Sequence, residues 1–144
     1  MEESLRKALE LEAAPEDPSQ YSPLALAYMG DCVYELLIRT AIISRGNRQV
    51  QKLHKETTAL VNAASQARLM RELEPLLTEE ERTVFKRGRN ARSTAIARHA
   101  SIADYRMATG LEALLGYLYL SRRMDRAVEL VGTGLEKTGE WNQE

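Results

Sequence analysis

Two stretches of the chain carry apolar residues on nearly every side of a helix. Residues 21–44, YSPLALAYMGDCVYELLIRTAIIS, are long enough for about six helical turns, and residues 105–121, YRMATGLEALLGYLYLS, repeat the pattern. A helix without a polar face belongs in the middle of a core. Ser22 is placed to cap the first helix, with Pro23 in the first-turn position where its missing N–H does no harm. Gly46, in Arg45-Gly46-Asn47, supplies the turn after it.

The remaining segments are amphipathic. Residues 48–56 predict a short helix with Val50 and Leu53 inward and Lys52, His54 and Lys55 outward. Residues 57–73 predict another, with Leu60, Val61, Ala64, Ala67 and Met70 at helical spacing, stopped by Pro75. Thr78 followed by Glu81 is a capping box that opens a helix through Phe85 and Lys86. Residues 87–101, RGRNARSTAIARHAS, lack a clean period and read as the one long loop, a feature often functional in compact domains. Residues 124–137 predict the last helix, with Ala127, Val128, Leu130, Val131 and Leu135 inward. A short helix over residues 3–12 ends at Pro15 and Pro18. No alternating strand pattern or internal repeat appears, so the fold class is all-α, a helical bundle. The expected divisions are an N-terminal extension (1–20), one domain (21–138) and a C-terminal tail (139–144).

Each of the two dry helices carries an acid at its heart. Asp31 follows Gly30 in the first, where Glu35 and Arg39 are the other formal charges, and Glu112 is the one acid inside the second. A lone ionised carboxylate in low dielectric costs several kcal/mol unless it gains a cation, a hydrogen-bond cage or a proton. Packed together, the two helices present both acids to one divalent ion. The bland alternative is that each acid caps a turn or pairs with an arginine such as Arg39 or Arg106. Gly30, Gly110 and Gly116 favour close pairing, because each costs roughly 1 kcal/mol of helix propensity and near contact of two backbones is a common reason to tolerate it.

Composition and charge narrow the partners. The Asp31 helix is excluded as a membrane span, because Asp31, Glu35 and Arg39 would each cost roughly 2.5 to 3.5 kcal/mol near the bilayer centre. The acidic start MEESLRKALELEAA lacks the order of a secretion signal, and the single Cys32, read as a small core residue, fits a reducing cytoplasm. A net charge of −1 hides an asymmetry: residues 86–106 hold six cations against one acid, whereas residues 1–20 hold six acids against two cations. A local basic face on a neutral protein suits a polyanion. An ordinary solvated face is the bland reading. Tyr28, Tyr34, Tyr117 and Tyr119 read as core or dimer contacts, and Trp141 has no evident task.

LALAYMGDCVYELLIR resembles the signature helix of ribonuclease III domains, and TGLEALLGYLYL resembles their second acidic motif. KRGRNARS, together with LALAYMGD in place of the usual Glu-rich signature, is similar specifically to the Mini-III branch, which has no separate double-stranded-RNA-binding domain. The resemblance implies the ribonuclease III endonuclease-domain fold for residues 21–138. It also implies a cytoplasmic homodimer that needs Mg²⁺ and cuts double-stranded RNA to 5′-phosphate and 3′-hydroxyl ends. In the Mini-III branch the associated role is maturation of the large-subunit (23S) ribosomal RNA precursor, with a large-subunit ribosomal protein as a candidate partner. Asp31 matches the aspartate of the Gly-Asp motif and Glu112 the glutamate of the second motif, both as Mg²⁺ ligands and catalytic residues. Two further signature glutamates are replaced by Leu24 and Ala27, in keeping with that branch, and an aspartate of the second motif is replaced by Thr109. Glu35 and Asp104 are then outer candidates, with solvated or structural roles expected. Lys86, Arg87, Arg89, Asn90 and Arg92 are the expected phosphate contacts, since A-form duplex is met through phosphates, 2′-hydroxyls and groove shape. The rival expectation is a catalytically silent RNA-binding or ribosome-assembly module on the same fold.

Overall fold

The structure is a computed structural model that describes residues 4, 5, 9, 17–91 and 101–140. A 3-10 turn at Pro18–Gln20 leads into α1 (Pro23–Ile43), then α2 (Val50–Leu60), α3 (Ala63–Leu73), a second 3-10 turn (Glu74–Leu76), α4 (Glu79–Arg89), α5 (Ile102–Leu120) and α6 (Met124–Thr138). No strand occurs among the described residues, and the all-α expectation holds. The helix expected over residues 3–12 lies mostly outside the described residues, as do Arg92 and Trp141.

Helix α5 is the axis of the bundle. It packs against α1, α3 and α4 together, which is why Leu111, Ala113, Leu114, Leu115 and Leu118 are buried with no accessible surface. Its sequence is apolar all round because no side faces water for long. The ends are set locally. Ser101 caps it by accepting a hydrogen bond from the Asp104 N–H at 3.0 Å, and Ser22 caps α1 in the same way through Ala25 N–H at 3.1 Å.

Helix α1 is apolar for a different reason from the one expected. Leu26, Val33, Tyr34, Ile38 and Ile42 are buried, but Leu24, Tyr28, Cys32 and Leu36 lie along an exposed stripe, with Tyr28 83% accessible. The spacing of four places these side chains on one face. Cys32 is therefore not a core residue. Hydropathy does not distinguish a face that packs inside one chain from a face left open.

Glycine sets how deep the helices nest. A Cβ on Gly30 would lie 1.6 Å from the Glu112 carbonyl oxygen, and one on Gly116 would lie 2.0 Å from the Leu26 carbonyl oxygen. Backbone thus touches backbone where α1 crosses α5. Gly110 does not belong to this crossing: its missing Cβ makes room for the Phe85 ring of α4, at 2.6 Å.

Two boundaries and two inward-facing assignments depart from the sequence expectation. Residues 48–73 break at Val61 and Asn62, not near residue 56. The Asn62 side chain closes both helices, donating to the Thr58 and Ala59 carbonyls at 2.9 and 3.1 Å and accepting from the Ser65 N–H at 2.9 Å. Val50, expected inward, is exposed in the first turn of α2, and Val128 is likewise exposed on α6. Arg87 to Arg89 belong to the last turn of α4, not to a loop. Gly88 is tolerated there because its Cα side faces Ala113 and Gly110 of α5. The capping box of Thr78 and Glu81 is present, and buried Glu81 is also held by Arg126 of α6 at 2.8 and 2.9 Å.

Candidate catalytic site

The crossing of α1 and α5 brings the two expected acids together. Asp31 follows the glycine at the contact and is exposed, while Glu112 supplies the carbonyl that Gly30 abuts and is half-buried. Their carboxyl groups lie within hydrogen-bonding range of each other. The sequence gives both acids a place in a dry helix; the one that is buried there is Glu112, whereas Asp31 lies at the surface. Burial, then the Asp31 charge, pushes the Glu112 carboxyl up to about 8, against a smaller downward pull from a Gln66 hydrogen bond.

Neither acid pairs with an arginine among the described residues. Among the described residues no ion pair reaches Asp31 or Glu112. Glu35 pairs with Arg39 at 3.1 Å and Asp104 with Arg71 at 2.8 Å, so both outer candidates are engaged in structural pairs. The site offers hard oxygen donors from two elements, the donor set of Mg²⁺-class ions that keep several waters. No cluster of three or more ligating side chains occurs among the described residues.

Three neighbours line the same region: Gln66 and Glu140, which the sequence did not single out, and Tyr34, which it read as a core or dimer contact. Gln66 of α3, buried, donates from Nε2 to Glu112 Oε2 at 3.4 Å. Tyr34, also buried, donates to the Leu60 carbonyl at 2.9 Å. Burial, followed by the charges of Glu140 and Glu112, raises the Tyr34 hydroxyl far above its ordinary value. Glu140 reaches back from beyond α6 to accept from Ser65 Oγ at 2.6 Å and Arg68 Nε at 2.9 Å. A glutamine or serine on an amphipathic helix carries no sequence signal of its own; only the packing of α3 on α5 reveals it.

The basic candidates separate into two groups. Lys86 is exposed, and Arg89 lies with its guanidinium 5.5 Å from the Phe85 ring centroid and donates to Asn90 Oδ1 at 3.2 Å. Arg87 instead donates to the Ser19 carbonyl at 3.0 Å, tying α4 to the turn before α1. Arg92 lies outside the described residues. No described helix is long and apolar enough to cross a membrane.

The Ribonuclease III domain model matches residues 24–123. The chain is 50% identical over 121 residues to Mini-ribonuclease 3 of Clostridium tetani, covering 83% of this chain and 80% of that one. It is 43% identical over 129 residues to Mini-ribonuclease 3 of Enterococcus faecalis, covering 88% and 98%. A solved crystal structure of a Fusobacterium nucleatum protein superposes with a TM-score of 0.77 at 29% identity, covering 87% of this chain and 96% of that one. Enzymes of the ribonuclease III type depend on divalent metal, bind double-stranded RNA and typically dimerise. With this match running across both acid-bearing helices and the packing between them, the chain belongs to the ribonuclease III family and is an endoribonuclease of that type.

Proposed function

We propose that the chain hydrolyses double-stranded RNA at the Asp31 and Glu112 pair, with Mg²⁺ held by both carboxylates, and leaves 5′-phosphate and 3′-hydroxyl ends. The observation that carries this reading is a pair of carboxyls from α1 and α5 facing each other at hydrogen-bonding range. An inactive descendant gains nothing from keeping two acids opposed in that position. The chemistry a divalent cation supplies there is acidification of a water and charge stabilisation at the phosphodiester. Glu112 binds from the buried side and Asp31 from the exposed side, so the edge of the site nearest Asp31 is where a phosphate group approaches.

The substrate we propose, on the resemblance of the two acidic motifs and KRGRNARS to the Mini-III branch, is the large-subunit (23S) ribosomal RNA precursor, met in the cytoplasm. Lys86, Arg89 and Asn90 at the end of α4 supply phosphate contacts, and Arg92, two residues further along the sequence, is proposed to join them. The working form is a homodimer. The stripe of Leu24, Tyr28, Cys32 and Leu36 leaves apolar side chains in water, and a second copy related by a twofold axis covers the same stripe on both subunits. Two sites related in this way cut both strands of a duplex.

The decisive experiment incubates a long RNA duplex with the parent protein and Mg²⁺, then with Asp31→Asn and Glu112→Gln. The parent cuts and each variant loses at least about a hundredfold in rate, the scale of losing a charged group that stabilises the transition state. A parent that binds duplex but never cuts it establishes the silent-module reading instead.

A further inference from the structure

Among the described residues one side-chain donor reaches Glu112, and that donor is built into the core. Gln66 is 4% exposed and flanked by Ala67 and Met70, both fully buried. Its Nε2 faces Glu112 Oε2 at 3.4 Å, a long contact for an amide and a carboxylate. A buried amide must find partners, and an apolar side chain would fill this place without that demand. The position is also held from behind. Asn62 caps the first turn of α3 through the Ser65 N–H, while Ser65 Oγ and Arg68 Nε both bind the Glu140 carboxylate. Helix α3 is thereby pinned one residue before and two residues after Gln66.

We infer that Gln66 is a positioning residue for Glu112: by occupying Oε2 from the α3 side, it turns the carboxylate so that its other oxygen faces Asp31. The arrangement is that of a ligand whose free rotation is removed by a partner behind it, and such partners change metal affinity or activity by about 10- to 100-fold when removed. Gln66 touches neither RNA nor the reacting phosphate. This inference rests on the assignment of Glu112 as a metal ligand.

Gln66→Met tests it, since Met matches the length and volume of Gln but has no N–H. Cleavage of a long duplex is followed as Mg²⁺ is raised, alongside duplex affinity in EDTA and the thermal midpoint without metal. The Met variant needs about tenfold more Mg²⁺ for half-maximal rate, with duplex affinity and thermal midpoint close to the parent. Gln66→His, which restores an N–H donor at similar reach, recovers most of the loss. A Met variant with the parental Mg²⁺ requirement and rate overturns the inference, as does equal impairment of Met and His that tracks a lowered midpoint. Should Gln66→Met fold poorly, Gln66→Ala repeats the titration without placing apolar bulk against the carboxylate, and a parental requirement there overturns the inference too. A parent that fails to cut, or an active Glu112→Gln, points to failure of the underlying site assignment instead.

Discussion

Gly30 and Glu112 are in contact through their main chains: a methyl group on the glycine would lie 1.6 Å from the glutamate's carbonyl oxygen. The residue before one acid thus abuts the backbone of the other. Gly30→Ala cannot be absorbed by a side-chain movement, because the atom it meets is backbone. The expected cost is roughly 3 kcal/mol of folding stability, read as a lowered urea midpoint. Cleavage falls as well at temperatures where the variant is still folded, since α1 must move away from α5 and carry Asp31 with it. A variant with parental stability and rate would contradict the contact.

Glu112 also gives the metal-free protein an inverted pH response. Its folded value of about 8 lies above the ordinary glutamate value of 4.5, so between these limits the folded state holds a proton that the unfolded state has released. Stability from this group therefore falls as pH rises from about 4.5 to about 8 and is level above that. Thermal melts in EDTA across that range are expected to show the decline, and Glu112→Gln to flatten it. Mg²⁺ binding at pH 7 should release close to one proton, measurable by calorimetry in buffers of different ionisation enthalpy. Identical heats in all buffers would count against a protonated Glu112.

The exposed stripe on α1 predicts the oligomeric state. Tyr28→Glu with Leu36→Glu places charge on a face that is not part of the core of the chain, so the fold and helix content should persist. Sedimentation is expected to shift from dimer to monomer at micromolar concentration, because burying two unpaired carboxylates in an apolar interface costs several kcal/mol. A variant that still sediments as a dimer would place the interface elsewhere.

The end of α4 makes a prediction about salt. Replacing Lys86 and Arg89 with Gln should reduce the slope of log affinity against log salt for duplex RNA by about 2, one unit for each cation that no longer neutralises a phosphate. Arg87→Gln should leave that slope unchanged, because its guanidinium is committed to the Ser19 carbonyl. Equal effects at Arg87 and Arg89 would mean that the Ser19 hydrogen bond opens when RNA binds.

Much of this was legible in the chain itself. Ser22 with Pro23, and Thr78 with Glu81, announce their helices because a cap needs only local chemistry. The pairing of Asp31 with Glu112 was legible because each acid sits close to a glycine in an otherwise dry helix. The break at Asn62 was not, since Leu60, Val61, Ala64 and Ala67 keep helical spacing across it and an asparagine fits either a turn or a helix surface. Gly88 misled in the opposite direction: it reads as a helix breaker, yet its task is to let α4 approach Ala113. Gln66 and Arg126 were missed because their partners lie 46 and 45 residues away in sequence.

The crossing at Gly30 and Gly116 has a consequence for how freely this protein can be altered. Where two main chains bear directly on each other, the gap between the acids is gauged by peptide groups that every sequence shares, and not by the girth of neighbouring aliphatic residues. Leucines elsewhere along the bundle can then be exchanged for others of similar bulk, by drift or by an engineer seeking heat tolerance, without resetting the spacing of the carboxylates. The two glycines are the positions at which that latitude ends.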